Sequence, residues 1–260
     1  MDAATTCLLV VDVQPEYWSN CAEVRKDFPE FPANCSRAIA ACRRASVLVV
    51  HVRADYRAER SPWLAQFQRL NPDKPSVISC GAGGSTGAPL PLAWEPFAAP
   101  VAGEPLVPKP SWSAATGTPL LPFLKASGVE AALVLGLITS VCVQQSAFAL
   151  FEAGLRVGLV SDACADRGRD RHDAAVLLYG NYMYEVLSAA DMEDAAVLRP
   201  ARGFNVAVVD ENELDDGDGD GDSGTMSDTA VAAVLTPPVV LTAGNLRRLA
   251  DGRRARVGAI

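Results

Sequence analysis

The chain has 260 residues, 49% of them hydrophobic and 21% charged, which is typical of a globular protein with a sizeable core. Its formal net charge is −8, yet eight acidic residues and no basic ones lie between positions 210 and 222. The rest of the chain is therefore balanced, and without a basic face nucleic acid is not an expected partner. No apolar run approaches the ~20 residues that span a bilayer, so no membrane partner is expected either.

The seven cysteines are odd in number and include no CxxC pair. The first residues, Met1–Ala4, lead into an apolar segment without the basic region and hydrophobic core of a secretion signal. Reduced thiols and a cytoplasmic location are the simplest expectation.

The first predicted strand is the apolar run Cys7–Val13, which is typical of a parallel strand buried on both faces. It carries Asp12 at its carboxyl end, where an unpaired buried carboxylate would be costly. A helix is predicted from Asn34, as its N-cap, to Ala45. The next strand, over residues 46–52, brings three side chains near its carboxyl end: His51, Arg53 and Tyr56.

Residues 61–105 are irregular and rich in proline and glycine, which predicts a long insertion on the surface or over a site. Its Trp63, Trp94 and Phe97 could either close a pocket or pin the insertion to the surface. An extended segment follows, in which Lys109 stands between two prolines that keep it out of a helix. A helix is predicted over Thr118–Lys125.

The most informative stretch is residues 131–153. Ala131–Leu135 predicts a buried strand that Gly136 ends, and a helix capped by Thr139 or Ser140 follows over Val141–Ala153. Cys142 then lies in the first turn of that helix, where the helix dipole and free N–H groups favour a thiolate. The alternative is a buried structural thiol.

Three further elements are predicted, a strand over Arg156–Ser161, a helix over Arg169–Tyr179 and a short strand over Glu185–Ala189. The alternation of strands and helices predicts an α/β fold with a mostly parallel sheet and helices on both faces.

Three regions are predicted along the chain: a domain over 1–209, an acidic low-complexity linker over 210–229, and a tail over 230–260. The tail could pack on the domain or on a neighbouring subunit. Asp216, Asp218 and Asp220 imitate the start of an EF-hand loop, but Ser227 stands where a bidentate glutamate is needed, so calcium is not expected.

Three ionisable residues, Asp12, Lys109 and Cys142, are placed at the carboxyl ends of separate predicted strands. Each has a plain structural explanation by itself, as a cap, a solvated charge or a core thiol. In a doubly wound sheet, however, those ends meet at one crevice. Together they have the chemistry of acyl transfer on a thiol: Lys109 would lower the pKa of Cys142, and Asp12 would move the proton to the leaving group.

These residues resemble the isochorismatase-like cysteine hydrolases over about Thr6 to Asp191. The resemblance rests on five sequence matches: Val11-Asp12-Val13-Gln14, His51-Val52-Arg53, Lys109 followed by Ser113-Ala114 and Gly117-Thr118-Pro119-Leu120, Gly136 to Val143, and Asp162-Ala163 leading to Asp166-Arg167 and His172.

The resemblance implies a three-layer α/β/α sandwich around a six-stranded, mostly parallel, Rossmann-like sheet, and an Asp12–Lys109–Cys142 triad. It also implies a non-proline cis peptide at Leu137–Ile138, with the backbone N–H groups of Ile138 and Cys142 as an oxyanion hole. A homo-oligomer, dimer or tetramer, is a further implication.

Some family members bind a metal through an Asp-x-His…His cluster, which is absent from residues 51–56 here, so neither a metal nor another cofactor is expected. His51 is predicted to be structural, and His172 to start its helix or to order the Asp166-Arg167 loop. Seven residues are predicted to bind a small-molecule substrate at the crevice: Gln14, Tyr17, Trp18, Arg53, Tyr56, Trp112 and Thr139.

The expected function is hydrolysis of a C–N bond in a small amide, carbamoyl or ureido compound through a thioester on Cys142. Two alternatives stay open. One is vinyl-ether hydrolysis of the isochorismatase type on the same fold, and the other is a non-catalytic binding or assembly protein.

Overall fold

The computed structural model describes residues 1–56, 60–72, 93–194, 196–199 and 239–242. In these ranges the protein is built on one sheet of seven strands, all of which pair in parallel. The strands are β1 (Thr6–Val11), β2 (Leu48–Ala54), β3 (Pro105–Lys109), β4 (Ala131–Leu137), β5 (Arg156–Ala165), β6 (Glu185–Leu187) and β7 (Val239–Val240).

Six α-helices accompany the strands in the described part of the chain: α1 (Ala22–Asp27), α2 (Phe31–Arg44), α3 (Leu64–Leu70), α4 (Leu120–Ala126), α5 (Gln144–Glu152) and α6 (Arg169–Tyr179). The strand order is β6-β5-β4-β1-β2-β3-β7, so the chain winds outward from β1 to β3 and then crosses back to β4. Because parallel crossovers are right-handed, this reversal puts helices on both faces of the sheet. The α/β/α fold predicted from the sequence is thus confirmed.

The sheet centre is the core of the molecule. Every residue of β1 and of β4 is buried, which agrees with their continuous apolar sequences. These two strands are neighbours and form the switch point of the sheet, where strand order reverses. Crevices that bind ligands lie at the carboxyl edge of such a point.

The seventh strand comes from the tail. Val239 and Val240 pair with Pro105 and Leu106 of β3, and the N–H of Leu241 donates to the carbonyl of Leu106. The six predicted strands therefore gain a short edge strand. The acidic linker, the EF-hand-like residues and the rest of the tail lie outside the described residues, and the domain boundaries stay a prediction.

Several predicted boundaries were wrong. Gly136 does not end its strand, because β4 continues through it to Leu137 with a register shift against β5. Strand β5 continues four residues past Ser161. Helix α2 begins at Phe31, so Asn34 lies inside it rather than capping it, and the Asn34 amide donates to the Asp162 carbonyl at 3.0 Å.

The insertion between β2 and β3 is only partly described. It contains α3 and a 3-10 turn at Pro96–Ala98, whereas residues 73–92 lie outside the description. None of the described helices combines the length and apolar character needed to cross a membrane.

Candidate active site

Asp12 follows β1 directly and lies at the switch point. Its backbone is left-handed (φ 52°), an uncommon conformation for a residue other than glycine, and its N–H donates to the carbonyl of Val52 at 2.9 Å. The side chain is completely buried. The fold therefore supports an unusual backbone conformation in order to aim a carboxylate into the interior.

Lys109 ends β3 and is also completely buried. Strand β2 separates β3 from β1, so the long lysine side chain passes the end of β2 to reach the switch point. Its Nζ lies 2.9 Å from Oδ2 of Asp12 and 3.3 Å from Sγ of Cys142. The same nitrogen donates to the carbonyl of Ser111 at 2.9 Å and to the hydroxyl of Tyr56 at 2.8 Å.

Cys142 follows β4 and is 5% exposed. The predicted first helical turn around it is a π-helix over Thr139–Val143, closed by a 3.2 Å bond from the N–H of Val143 to the carbonyl of Ile138, and α5 starts only at Gln144. The peptide bond Leu137–Ile138 before it is cis, as the resemblance implies. The three candidate catalytic side chains thus meet at one point.

Burial dominates the electrostatics of this cluster. It raises the pKa of Cys142 to about 12, against the opposing effect of the Lys109 ammonium. Burial also raises the pKa of Asp12, again opposed by Lys109. Burial lowers the pKa of Lys109, but the negative charges of Asp12 and Cys142 outweigh it and raise this pKa. The predicted effect of Lys109 is present, since its ammonium lowers the pKa of Cys142, but desolvation of the sulfur is the larger effect and keeps this pKa raised.

Thr139 was predicted to bind substrate, but its buried hydroxyl lies 2.9 Å from Nδ1 of His172 on α6. Next to it, the N–H of Ser140 donates to Asp166 at 2.7 Å, and Asp166 also accepts from the N–H of Arg167. These contacts hold the π-helical turn from the side of β5 and α6. His172 therefore supports the Cys142 turn rather than its own helix start.

Gln14 and Arg53 fasten the loop after β1. The Gln14 amide accepts from the N–H of Ala54 and donates to Glu16, both at 3.2 Å. Arg53 pairs with Glu16 at 2.9 Å and donates to the carbonyl of Ala93 at 2.5 Å. Both predicted substrate ligands are thus engaged within the protein, and Arg53 ties the end of the insertion to the site.

Among the aromatic candidates, Tyr17 and Trp18 are buried. The Trp18 ring packs against Phe31 and Phe97, at centroid distances of 4.8 and 6.1 Å, so Phe97 pins its segment to the core. This placement favours a structural role for Trp18.

A second aromatic group borders the cluster itself. Trp63 meets the ring of Tyr56 edge-on at 4.8 Å, lies 5.5 Å from Trp112, and donates to the carbonyl of Pro110 at 3.0 Å. Trp112 is 40% exposed, so this group extends from the cluster to the surface. Of the aromatic candidates, Tyr56 is placed against the sulfur, with its hydroxyl 3.3 Å from Sγ of Cys142.

His51 is buried away from the cluster and bonds through Nε2 to Glu104 at 2.7 Å. Glu104 also accepts two bonds from Arg43, each 2.8 Å long. This arrangement agrees with the structural role predicted for His51. Within the described ranges, no three or more His, Cys, Asp or Glu side chains are grouped so as to hold a metal ion. That the protein needs neither metal nor cofactor stays a prediction.

Sequence reasoning missed four features of this site: the Ser111 carbonyl on Lys109, the Glu16 carboxylate on Arg53, the Thr139–His172 contact, and the Tyr56 contact with the sulfur. Each of these contacts either joins residues far apart in the chain or uses a backbone carbonyl. Contacts of these two kinds produce no local pattern in the sequence. The presence of Tyr56 near the end of β2 was the single available signal.

The fold and the buried carboxylate, ammonium and thiol together define an α/β protein with a candidate active site at the switch point of its sheet. The isochorismatase domain model matches residues 6–191. The chain therefore belongs to the isochorismatase family, a class of hydrolases.

Individual relatives agree with this assignment. Maleamate amidohydrolase from Pseudomonas putida is 31% identical over 136 residues, which are 52% of this chain and 60% of that protein. The matched stretch thus spans less than two thirds of that relative.

Two solved structures share the fold. A cysteine hydrolase from Pseudomonas syringae pv. phaseolicola superimposes with a TM-score of 0.63 at 19% identity, over 74% of this chain and 92% of that one. N-carbamoylsarcosine amidase from Thermoplasma acidophilum does so with 0.56 at 22% identity, over 71% and 96% of the two chains.

Proposed function

We propose that the protein hydrolyses the C–N bond of a small amide, carbamoyl or ureido compound through a thioester on Cys142. The observation that carries this proposal is the position of the Lys109 Nζ, 2.9 Å from Asp12 and 3.3 Å from Cys142 in a buried site. The similarity to a maleamate amidohydrolase supports an amide as the substrate class.

In the first half of the reaction, Asp12 takes the thiol proton of Cys142, and the thiolate attacks the carbonyl carbon of the substrate. The ammonium of Lys109 balances the charge on sulfur. The backbone N–H groups of Ile138 and Cys142 bind the oxyanion. When the C–N bond breaks, protonated Asp12 gives its proton to the departing nitrogen, and the acyl group stays on sulfur.

In the second half, Asp12 accepts a proton from water, and the resulting hydroxide attacks the thioester. The C–S bond breaks, the acid product leaves, and the proton returns to sulfur. The raised pKa of Asp12 suits it to both steps, since a carboxyl group with a raised pKa is a stronger base and holds a proton more readily.

The test is turnover of a panel of small amides, carbamoyl and ureido compounds, together with isochorismate, and a search for an acyl adduct on Cys142 by mass spectrometry. Cys142→Ala should abolish turnover and adduct, whereas Cys21→Ala, at a partly exposed thiol away from the cluster, should keep both. Turnover of isochorismate alone would favour the ether reaction. Full activity of Cys142→Ala would overturn the thioester.

Self-association and a cytoplasmic location belong to the same proposal. Exposed apolar side chains on α5 and α6 support a homo-oligomer, dimer or tetramer, since they would be covered by a second copy: Phe148, Phe151, Leu177 and Leu178. Light scattering at micromolar concentration should give a mass of two or four chains, and a monomer would contradict the proposal.

A further inference from the structure

The hydroxyl of Tyr56 lies between the two groups that set the reactivity of the site. It accepts a hydrogen bond from Lys109 at 2.8 Å and lies 3.3 Å from Sγ of Cys142. The tyrosine is 4% exposed, and the ammonium also lies 5.0 Å from the centre of its ring. Its position is therefore set by contacts within the protein.

A count of hydrogens assigns the direction of these bonds. An ammonium has three hydrogens, but four acceptors surround the Lys109 nitrogen: Asp12, the Ser111 carbonyl, the Tyr56 oxygen and the Cys142 sulfur. The ammonium donates to the Ser111 carbonyl, the Tyr56 oxygen and the Cys142 sulfur, whereas Asp12 is its ionic partner at 2.9 Å. The ammonium is therefore one donor to the sulfur, and the Tyr56 hydroxyl, at the same distance of 3.3 Å, is placed to be a second.

Tyr56 supplies the second donor to the sulfur. A phenol has one hydrogen, and since its oxygen already accepts from Lys109, its own hydrogen is directed to Sγ of Cys142. Burial strongly raises the pKa of Tyr56, so the phenol keeps this hydrogen at working pH. The ring is held in place by Trp63, which contacts it edge-on.

We propose that Tyr56 is a fourth catalytic residue, whose hydroxyl donates a hydrogen bond to Cys142 and stabilises the thiolate as Asp12 removes the proton. The inference rests on the proposed function, since it assigns a role in the same thiol chemistry. It differs from the substrate-binding role predicted for Tyr56, because the hydroxyl is already engaged by two groups of the protein. When Asp12 takes the thiol proton, the negative charge moves from the carboxylate to the sulfur, where the Tyr56 hydroxyl already donates a hydrogen bond.

The test is the alkylation rate of Cys142 by iodoacetamide between pH 6 and 9, read by peptide mass spectrometry without substrate. A lost bond to a charged acceptor should raise the thiol pKa by about one unit. The raised pKa leaves a smaller fraction of thiolate, and the greater nucleophilicity of a more basic thiolate offsets only part of this loss. Cys142 of Tyr56→Phe should therefore be alkylated about threefold more slowly than in the wild type at each pH. Tyr182→Phe, which removes a hydroxyl from an 84% exposed side chain, should match the wild type.

A second variant keeps the fold and strengthens the donor. The change Tyr56→3,5-difluorotyrosine gives a more acidic phenol, so Cys142 should be alkylated faster than in the wild type. Turnover adds a third measurement, in which Tyr56→Phe should lower kcat and leave KM nearly unchanged.

These outcomes separate two failures. If Cys142 of the wild type alkylates no faster than the buried Cys35 and Cys164, the proposed function loses its nucleophile. If Cys142 is reactive but neither Tyr56 variant changes its alkylation rate, or if Tyr56→Phe only raises KM, the role of Tyr56 is overturned and the proposed function stands.

Discussion

The hydroxyl of Thr139 lies 2.9 Å from Nδ1 of His172, and this contact joins the turn that carries Cys142 to helix α6. Both side chains are buried, and His172 also packs edge-on against Phe28 at 5.3 Å. The position of the sulfur therefore depends on a helix that does not itself reach the cluster.

Thr139→Val tests this support. The change keeps the side-chain shape but leaves Nδ1 of His172 without its partner, so the free energy of unfolding should fall by about 1–3 kcal/mol. Amide turnover should also fall, because the Cys142 turn is less well held. Urea unfolding and kcat are the measurements, and Thr139→Ser, which retains the hydroxyl, should recover most of both. Equal loss in the two variants would contradict the prediction.

The buried ion pair of Asp12 and Lys109 predicts strong coupling. Asp12→Asn leaves the ammonium of Lys109 without its counter-charge, so the free energy of unfolding should fall by about 3–5 kcal/mol. Adding Lys109→Met removes the unpaired charge, and the double variant should be more stable than Asp12→Asn alone. Urea unfolding of the four proteins gives the coupling, and strictly additive losses would show that the two charges do not interact. All three variants should lack amide turnover.

Glu104 predicts a loss of stability in acid. Bonds from His51 and Arg43 overcome the effect of burial and lower the pKa of Glu104 to about 2 from 4.5. A carboxylate with a lowered pKa in the folded state stabilises it above the unfolded value, so this contribution is lost as pH falls from about 4.5 to about 2. Burial lowers the pKa of His51, so the unfolded chain binds a proton at this residue more readily than the folded protein does. The free energy of unfolding therefore also falls as the pH drops below 6.5.

Glu104→Gln should therefore be less stable than the wild type at pH 7 and show a shallower fall in stability from pH 4.5 downward. Thermal unfolding over a pH series is the measurement. Glu185→Gln, at an exposed ion pair with Arg156, should follow the wild-type curve, because exposed pairs contribute little. Parallel curves for Glu104→Gln and the wild type would contradict the assignment.

The backbone at position 136, in the centre of the sheet, requires glycine. Its φ is 126°, and a Cβ there would lie 2.0 Å from the carbonyl oxygen of Val11. Gly136→Ala should lower the free energy of unfolding by at least about 4 kcal/mol or prevent folding. Gly128→Ala, at φ 71° with open space around the site of a Cβ, should lose only about 1–2 kcal/mol by urea unfolding. Similar losses at both positions would show that the close approach to Val11 is unimportant.

Much of this protein follows from its sequence. The apolar runs around Leu9 and Leu133 predict buried parallel strands, because such strands need apolar side chains on both faces. The topology rule for parallel sheets then brings Asp12, Lys109 and Cys142 to one edge, and the geometry agrees, although the catalytic roles of these residues remain proposals.

Tertiary structure decided what each polar side chain contacts. Thr139 contacts His172, and Tyr56 contacts Cys142. In both pairs the partner is more than thirty residues away in the chain. It also decided that the pKa of Cys142 rises, since the sequence predicts the neighbouring ammonium but not the extent of burial. Local patterns determine strands and their ends, whereas desolvation and hydrogen-bond partners depend on how distant segments pack.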